Sequence, residues 1–174
     1  MIVGDKIALG SILPQDLPKI YAWFDDPANV NCSEPYIPRN LVQQEQFWTN
    51  AANDPSRIFL SIRSRPNLDL IGAVQIMAIE PIHRSVKLGI LIGDPGQRGR
   101  GFGHEAMQLA VEYCWSQINI SRITLQVFDD NLAAIRIYEA LGFEHEGVLR
   151  DALFVAGKWV SLKLMAIHHP ARLR

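Results

Sequence analysis

The chain has 174 residues, 48% of them hydrophobic and 20% charged, which suits one soluble domain, residues 1–174, with a substantial core. Its 17 basic and 18 acidic residues leave a net charge of −1; a nucleic-acid-binding domain shows a clear basic excess, so no nucleic-acid partner is expected. Cys32 and Cys114 have no Cys or His at ligand spacing, which points away from a disulfide framework or a metal site, and no apolar run approaches the roughly 20 residues that span a bilayer.

Met1 to Gly10 is too short and too mixed for a signal peptide, so the cytoplasm is the expected compartment. Ile2 to Ile12 alternates and predicts a strand. A helix follows: Asp16 can cap it, Leu17, Ile20, Tyr21 and Phe24 recur at helical spacing, and Pro27 ends it. Residues 28–40 read as loop. Leu41 to Asn53 predicts a second helix with Phe47 and Trp48 inward. Over residues 20–54 the acids Asp25, Asp26, Glu34, Glu45 and Asp54 stand against Arg39 alone. That bias reads either as a solvated face or as a lip that attracts a cation.

Ile58 to Arg63 and Leu70 to Ile79 predict a hairpin turning around Pro66-Asn67. Ser85 to Ile92 is the next strand, and Gly93 to Gly103 a glycine-rich turn. His104 to Gln117 follows as an amphipathic helix with Ala106, Leu109, Ala110, Tyr113 and Cys114 on one stripe. Ile123 to Phe128 is a strand. Asp130 or Asn131 caps a helix running to about Leu141, and Gly142 ends it. A strand from Gly142-Phe143 to Leu149 and a hairpin turning at Ala156-Gly157-Lys158 close the chain. The order β-α-α-β-β-β-α-β-α-β-β predicts an α/β fold on a mixed sheet.

The turn between the 85–92 strand and the 104–117 helix carries the chemistry. A helix N-terminus presents unpaired N–H groups and a positive dipole end. Glycines let the backbone approach a ligand, and Arg98 and Arg100 add charge. Together these features suit phosphates. The phosphate-loop motif needs Lys then Ser or Thr after its last glycine, but Phe102 follows Gly101 and His104 follows Gly103. A dinucleotide fingerprint would follow an early strand, and this turn comes after several.

Arg98-Gly99-Arg100-Gly101-Phe102-Gly103 after the strand Leu88 to Ile92 resembles the coenzyme A motif of the GNAT acetyltransferases. Asn131 to Phe143, with Ala134, Tyr138 and Gly142-Phe143 in place, resembles that family's second signature. The likeness is to the RimJ/RimL-type branch, strong from about residue 70 to 165. It implies the GNAT fold: a mixed central sheet with a splayed pair of strands, flanked by about four helices. It implies acetyl-CoA as co-substrate. Backbone groups near Leu91 and Ile92 would bond the pantetheine arm. Residues from Gly99 through Arg100, Gly101, Phe102 and Gly103 to His104 would hold the pyrophosphate with Arg98, and Asn131 would contact the arm.

The resemblance also makes Tyr138 the general acid to the departing thiolate. Asn131 and Tyr138 are seven residues apart, two helical turns, so they share a face. The attacking amine has to lose a proton, and Glu80, His83 and Glu34 are the candidate bases. Direct transfer is expected, because no Ser-His-Asp or Cys-His arrangement is legible; Cys32 as nucleophile is the poor alternative. Asp25, Asp26, Glu34, Tyr36 and Trp48 could line the acceptor side. The acceptor is a small-molecule amine, such as a polyamine or amino sugar, or a protein N-terminus, and the sheet edge and last hairpin allow a homodimer. The rival reading is an acyl-CoA-binding sensor without turnover. In one respect the chain departs from the branch: Gly10-Ser11 follows Leu9, where an arginine is usual.

Overall fold

The computed structural model describes residues 1–173 apart from Cys32, so the alternative nucleophile lies outside the described residues. Eight strands form one sheet in the order β1-β2-β3-β4-β5-β6-β8-β7. They are β1 (Ile2–Val3), β2 (Ile7–Ser11), β3 (Ile58–Ser64), β4 (Asp69–Glu80), β5 (Ser85–Ile92), β6 (Arg122–Phe128), β7 (Glu144–Val155) and β8 (Lys158–His168). The helices are α1 (Leu17–Phe24), α2 (Pro27–Val30), α3 (Leu41–Ala52), α4 (Phe102–Ser116) and α5 (Leu132–Ala140). Neighbouring strands are antiparallel except β5 and β6, which run parallel. A parallel pair needs a crossover, and α4 supplies it.

The expected mixed α/β fold is present, with local differences. The first strand is two: Gly4 N–H donates to Ile7 O at 2.9 Å and turns β1 back on β2. Pro27 starts a helix rather than ending one. It occupies the first turn of α2, where a missing N–H costs nothing, and Asp26 caps that turn through Ala28 N–H at 2.9 Å. Asp16 is not a side-chain cap for α1. Its carboxylate accepts from Leu13 N–H and pairs with Arg63 at 2.5 Å, which is how a charge only 5% exposed is tolerated.

The main core lies on one face of the sheet. Val74, Ile76, Val86, Leu88, Ile123 and Leu125 pack there against Ala106, Met107, Ala110 and Cys114 of α4 and Ile135 and Tyr138 of α5. Leu109 and Tyr113, expected on the buried stripe, are only half-buried; Met107 and Val111 take the deeper positions. Full burial of one large aliphatic side chain stabilises by about 1.5–3 kcal/mol, so this face anchors α4 whatever happens at its tip. A smaller cluster, Ile20, Trp23 and Leu70 with Trp48 and Leu91 against it, holds α1 near the start of β4 and the end of β5. Among the described residues no helix is long and apolar enough to cross a membrane.

Candidate active site

The parallel pair β5–β6 is short. Ser85, Val86 and Lys87 pair with Arg122, Ile123 and Thr124, and there the ladder stops. β6 continues along β8 as far as Phe128 opposite Leu162, while β5 continues along β4 to Ile92 opposite Gly72. The two strands part after Lys87. Among the described residues the splay leaves one edge of residues 88–92 without a strand partner, and an extended ligand can add to such an edge.

A cleft of about 510 Å³ occupies the split. Ile90, Leu91 and Ile92 form one wall, Asn131, Ala134, Ile137 and Tyr138 of α5 the other, and Arg98, Gly99, Gly101, Gly103 and His104 its end. The end wall follows from local sequence. Pro95–Gln97 forms a 3-10 turn capped by Asp94, whose side chain accepts from Gly96 N–H at 2.9 Å. Gly99 and Gly101 then take φ of +73° and +84°, left-handed values that disfavour a side chain. Gly101 is the residue before α4, and the first α4 ladder bond runs from Glu105 N–H to Gly101 O at 3.2 Å. The N–H groups of Phe102, Gly103 and His104 therefore have no intrahelical acceptor. This is an anion cradle.

The arginines of the turn are largely committed. Arg98 Nε donates to Ile92 O at 3.1 Å and its Nη2 to Asn29 Oδ1, tying the turn to β5 and to α2. Arg100 Nη1 donates to Gln97 Oε1 at 2.6 Å and its guanidinium lies 5.1 Å from the Phe102 ring. A third cation is close. Lys6 Nζ, from the β1–β2 turn, lies 3.2 Å from where a Cβ on Gly101 would be. Glu105 fixes that turn by accepting from Lys6 N–H at 3.0 Å. Sequence inspection misses Lys6, because nothing local links residue 6 to residue 101.

Asn131 caps α5, its Oδ1 accepting from Ala134 N–H at 3.2 Å. That leaves its NH2 as the group able to meet a bound arm. Tyr138, 7% exposed, lies two turns on, with its ring 5.9 Å from that of Phe143. The structure thus brings together Leu91, Ile92, Arg98, Gly99, Gly101, Gly103, His104, Asn131 and Tyr138. Phe102 is buried under Arg100 at the start of α4.

The proposed bases fare differently. Glu80 pairs with Ser85, at the opposite end of the β4–β5 hairpin from Leu91. Leu91 is six positions along the strand from Ser85, about 20 Å, so Glu80 does not join the cleft, and His83 lies in the turn beyond it. Glu34 lines a separate small cavity of about 90 Å³ with Arg39, just after α2. The acidic lip also thins out. Asp25 accepts from Tyr36 Oη at 2.9 Å, Asp26 caps α2, and Asp54 is held by Ser56 and Arg57. Trp48 packs with Phe47 and Phe59.

A mixed sheet split beside a glycine turn, with that turn opening the crossover helix, is the architecture of an acyltransferase domain. Residues 7–144 match the family described as acetyltransferase (GNAT) domain, and the chain belongs to that family. It is 35% identical over 146 residues to a spermidine N(1)-acetyltransferase of Vibrio cholerae, covering 83% of this chain and 77% of that protein. It is 31% identical over 172 residues to YoaA of Bacillus subtilis, an uncharacterized N-acetyltransferase, covering 95% of each. Among solved structures, the spermidine N-acetyltransferase from Vibrio cholerae in complex with CoA and spermine superposes with a TM-score of 0.88 at 26% identity, over 97% of this chain and 99% of that one.

Proposed function

We propose that this domain transfers an acetyl group from acetyl-CoA to the primary amine of a small molecule by direct attack, with Tyr138 as the acid that protonates the departing thiolate. The observation that carries the reading is the cleft itself. One cavity joins an anion cradle at the tip of α4, an unpaired strand edge on β5, and a buried tyrosine and a capping asparagine on α5.

The residues fit the co-substrate. Phosphates suit the N–H groups of Phe102, Gly103 and His104, which Gly99 and Gly101 leave approachable. The edge of β5 at Leu91 and Ile92 offers hydrogen bonds to amides of a pantetheine arm, and Asn131 donates from the facing wall. Acetyl-CoA supplies an activated acyl thioester. The strand edge and the α5 wall orient it, and proximity of this kind can supply several kcal/mol of barrier lowering. A backbone N–H on β5 polarises the thioester carbonyl, as an oxyanion donor does. Tyr138, on the wall facing that edge, holds the proton that the thiolate takes.

A primary alkylamine has a pKa near 10.4, so it is mostly protonated at neutral pH and has to lose a proton before attack. Glu34 is the candidate carboxylate for this, acting through water, because its segment is tied to the cleft by the Asn29–Arg98 contact. The test is free-thiol release from acetyl-CoA with spermidine, amino sugars, peptide N-termini and aminoglycosides, beside calorimetry of acetyl-CoA binding. Turnover with at least one amine is expected. Absence of acetyl-CoA binding would sink the reading.

A further inference from the structure

Lys87 stands at the fork. It is the last residue of β5 paired with β6, opposite Thr124. Its neighbours Val86 and Leu88 are buried on the face that carries α4 and α5. Side chains alternate along a strand, so Lys87 points to the other face. There its ammonium donates to Gln126 Oε1 at 2.7 Å and straps the fork.

The carboxylates on this face are committed to other cations, Glu146 to Arg122 and Asp16 to Arg63. Gly89, two residues on, contributes no side chain. A Cβ there would meet only Met77 and Gln75, at ordinary contact distances of 3.4 and 3.9 Å, so crowding does not require the glycine. The floor beside Lys87 is simply left clear. Among the described residues no carboxylate pairs with Lys87. Arg122, on the same face, is already held by Glu146 at 2.5 Å. Lys87 is half-buried, and loss of water lowers its pKa. A charge kept in that position without a counter-ion favours an anion brought in from outside.

The coenzyme cleft lies among α4, α5 and the 90–92 edge of β5, and Lys87 stands on the opposite face where the β5–β6 ladder ends, the side left for an acceptor to approach. We infer that Lys87 determines acceptor specificity, selecting an amine that carries a carboxylate or phosphate close by and disfavouring an uninterrupted polyamine. The inference rests on the acetyl-transfer reading and narrows its acceptor.

Matched acceptors test it: glucosamine 6-phosphate against glucosamine, an amino acid against its amide, and spermidine alone. Kinetics with the unmodified chain and with Lys87→Glu and Lys87→Gln are compared by thiol release. At least a tenfold preference in kcat/KM for the anionic member of one pair is expected, and which pair shows it separates phosphate from carboxylate. Lys87→Gln should shrink that preference to about twofold, and Lys87→Glu should reverse it towards spermidine. If Lys87→Glu fails to fold, Lys87→Gln carries the test. A preference for spermidine in the unmodified chain, or ratios that both variants leave unchanged, would overturn the inference alone. Tight acetyl-CoA binding with no turnover on the anionic acceptors, while another amine is acetylated, overturns it too. No turnover on any amine defeats the acetyl-transfer reading and this inference with it.

Discussion

Gly101→Val separates the fold from the coenzyme site. Gly101 has φ of +84°, and a side chain in the left-handed region costs roughly 1–2 kcal/mol, more when β-branched. The new Cβ would also stand 3.2 Å from Lys6 Nζ, which can swing away. The helix behind it is anchored by Ala106, Met107, Ala110 and Cys114, all 0% exposed. A loss of about 2 kcal/mol is small against the 5–15 kcal/mol of a typical domain, so the protein stays folded. The strain is relieved by rotating the Gly101–Phe102 peptide, which turns cradle N–H groups away from the phosphates. Hydrogen bonds to a charged group contribute about 1.5–3 kcal/mol each, and losing two weakens acetyl-CoA binding on the order of 100-fold or more. Calorimetry measures that loss, and thermal unfolding confirms that the melting temperature falls by only a few degrees. A dissociation constant within threefold of the parent, with Gly101→Val folded, would place the phosphates elsewhere.

Tyr138→Phe keeps the ring packed against Phe143 and removes only the hydroxyl, so acetyl-CoA affinity should hold while turnover falls at least tenfold, as expected for loss of a positioned acid; unchanged kcat would remove Tyr138 from the chemistry. Lys6→Ala should raise the KM for acetyl-CoA several-fold, with a smaller effect in high salt, where screening already weakens a surface cation; steady-state kinetics at two ionic strengths would decide it. Cys114 is 0% exposed and burial pushes its thiol up to about 12. Its folded value is raised above the ordinary 9.0, so its contribution to stability is complete below pH 9 and is lost as pH climbs towards 12. Cys114 should therefore resist alkylation at pH 8 in the folded protein and react once it is unfolded, as peptide mapping by mass spectrometry would show.

Local rules account for most of what could be read in advance. The Ser85–Ile92 strand, the Asn131 cap and the Gly142 stop are all where residue chemistry puts them, because each depends on neighbours within a few positions. Where two local signals compete, reading fails. Pro27 can end one helix or begin the next, and Asp26 decides for the second by capping. Gly101 precedes α4 in a conformation more usual after a helix, which hides a start two residues earlier than His104. β7 runs on to Val155 through register shifts after His145 and Leu149, and a shift of register breaks the period-two pattern that marks a strand.

The two halves of the site differ for the same reason. The coenzyme half is a contiguous turn and one helix face, so its residues announce themselves by spacing, whereas Lys6 and Asn29 arrive from far along the chain. The acceptor half has no such motif. Lys87 matters because a parallel ladder stops beside it and because its ammonium donates across the fork to Gln126 Oε1, 39 positions away. In sequence it is one charged residue in an apolar strand, and the acidic residues before Asp54 make the more conspicuous signal. Folding reverses that ranking. Asp25, Asp26 and Asp54 are taken up by Tyr36, by the α2 cap, and by Ser56 and Arg57, while the Lys87 ammonium is held by a neutral amide at the fork. The charge that governs which amine enters is therefore positive, although the composition of the N-terminal third points to a negative one.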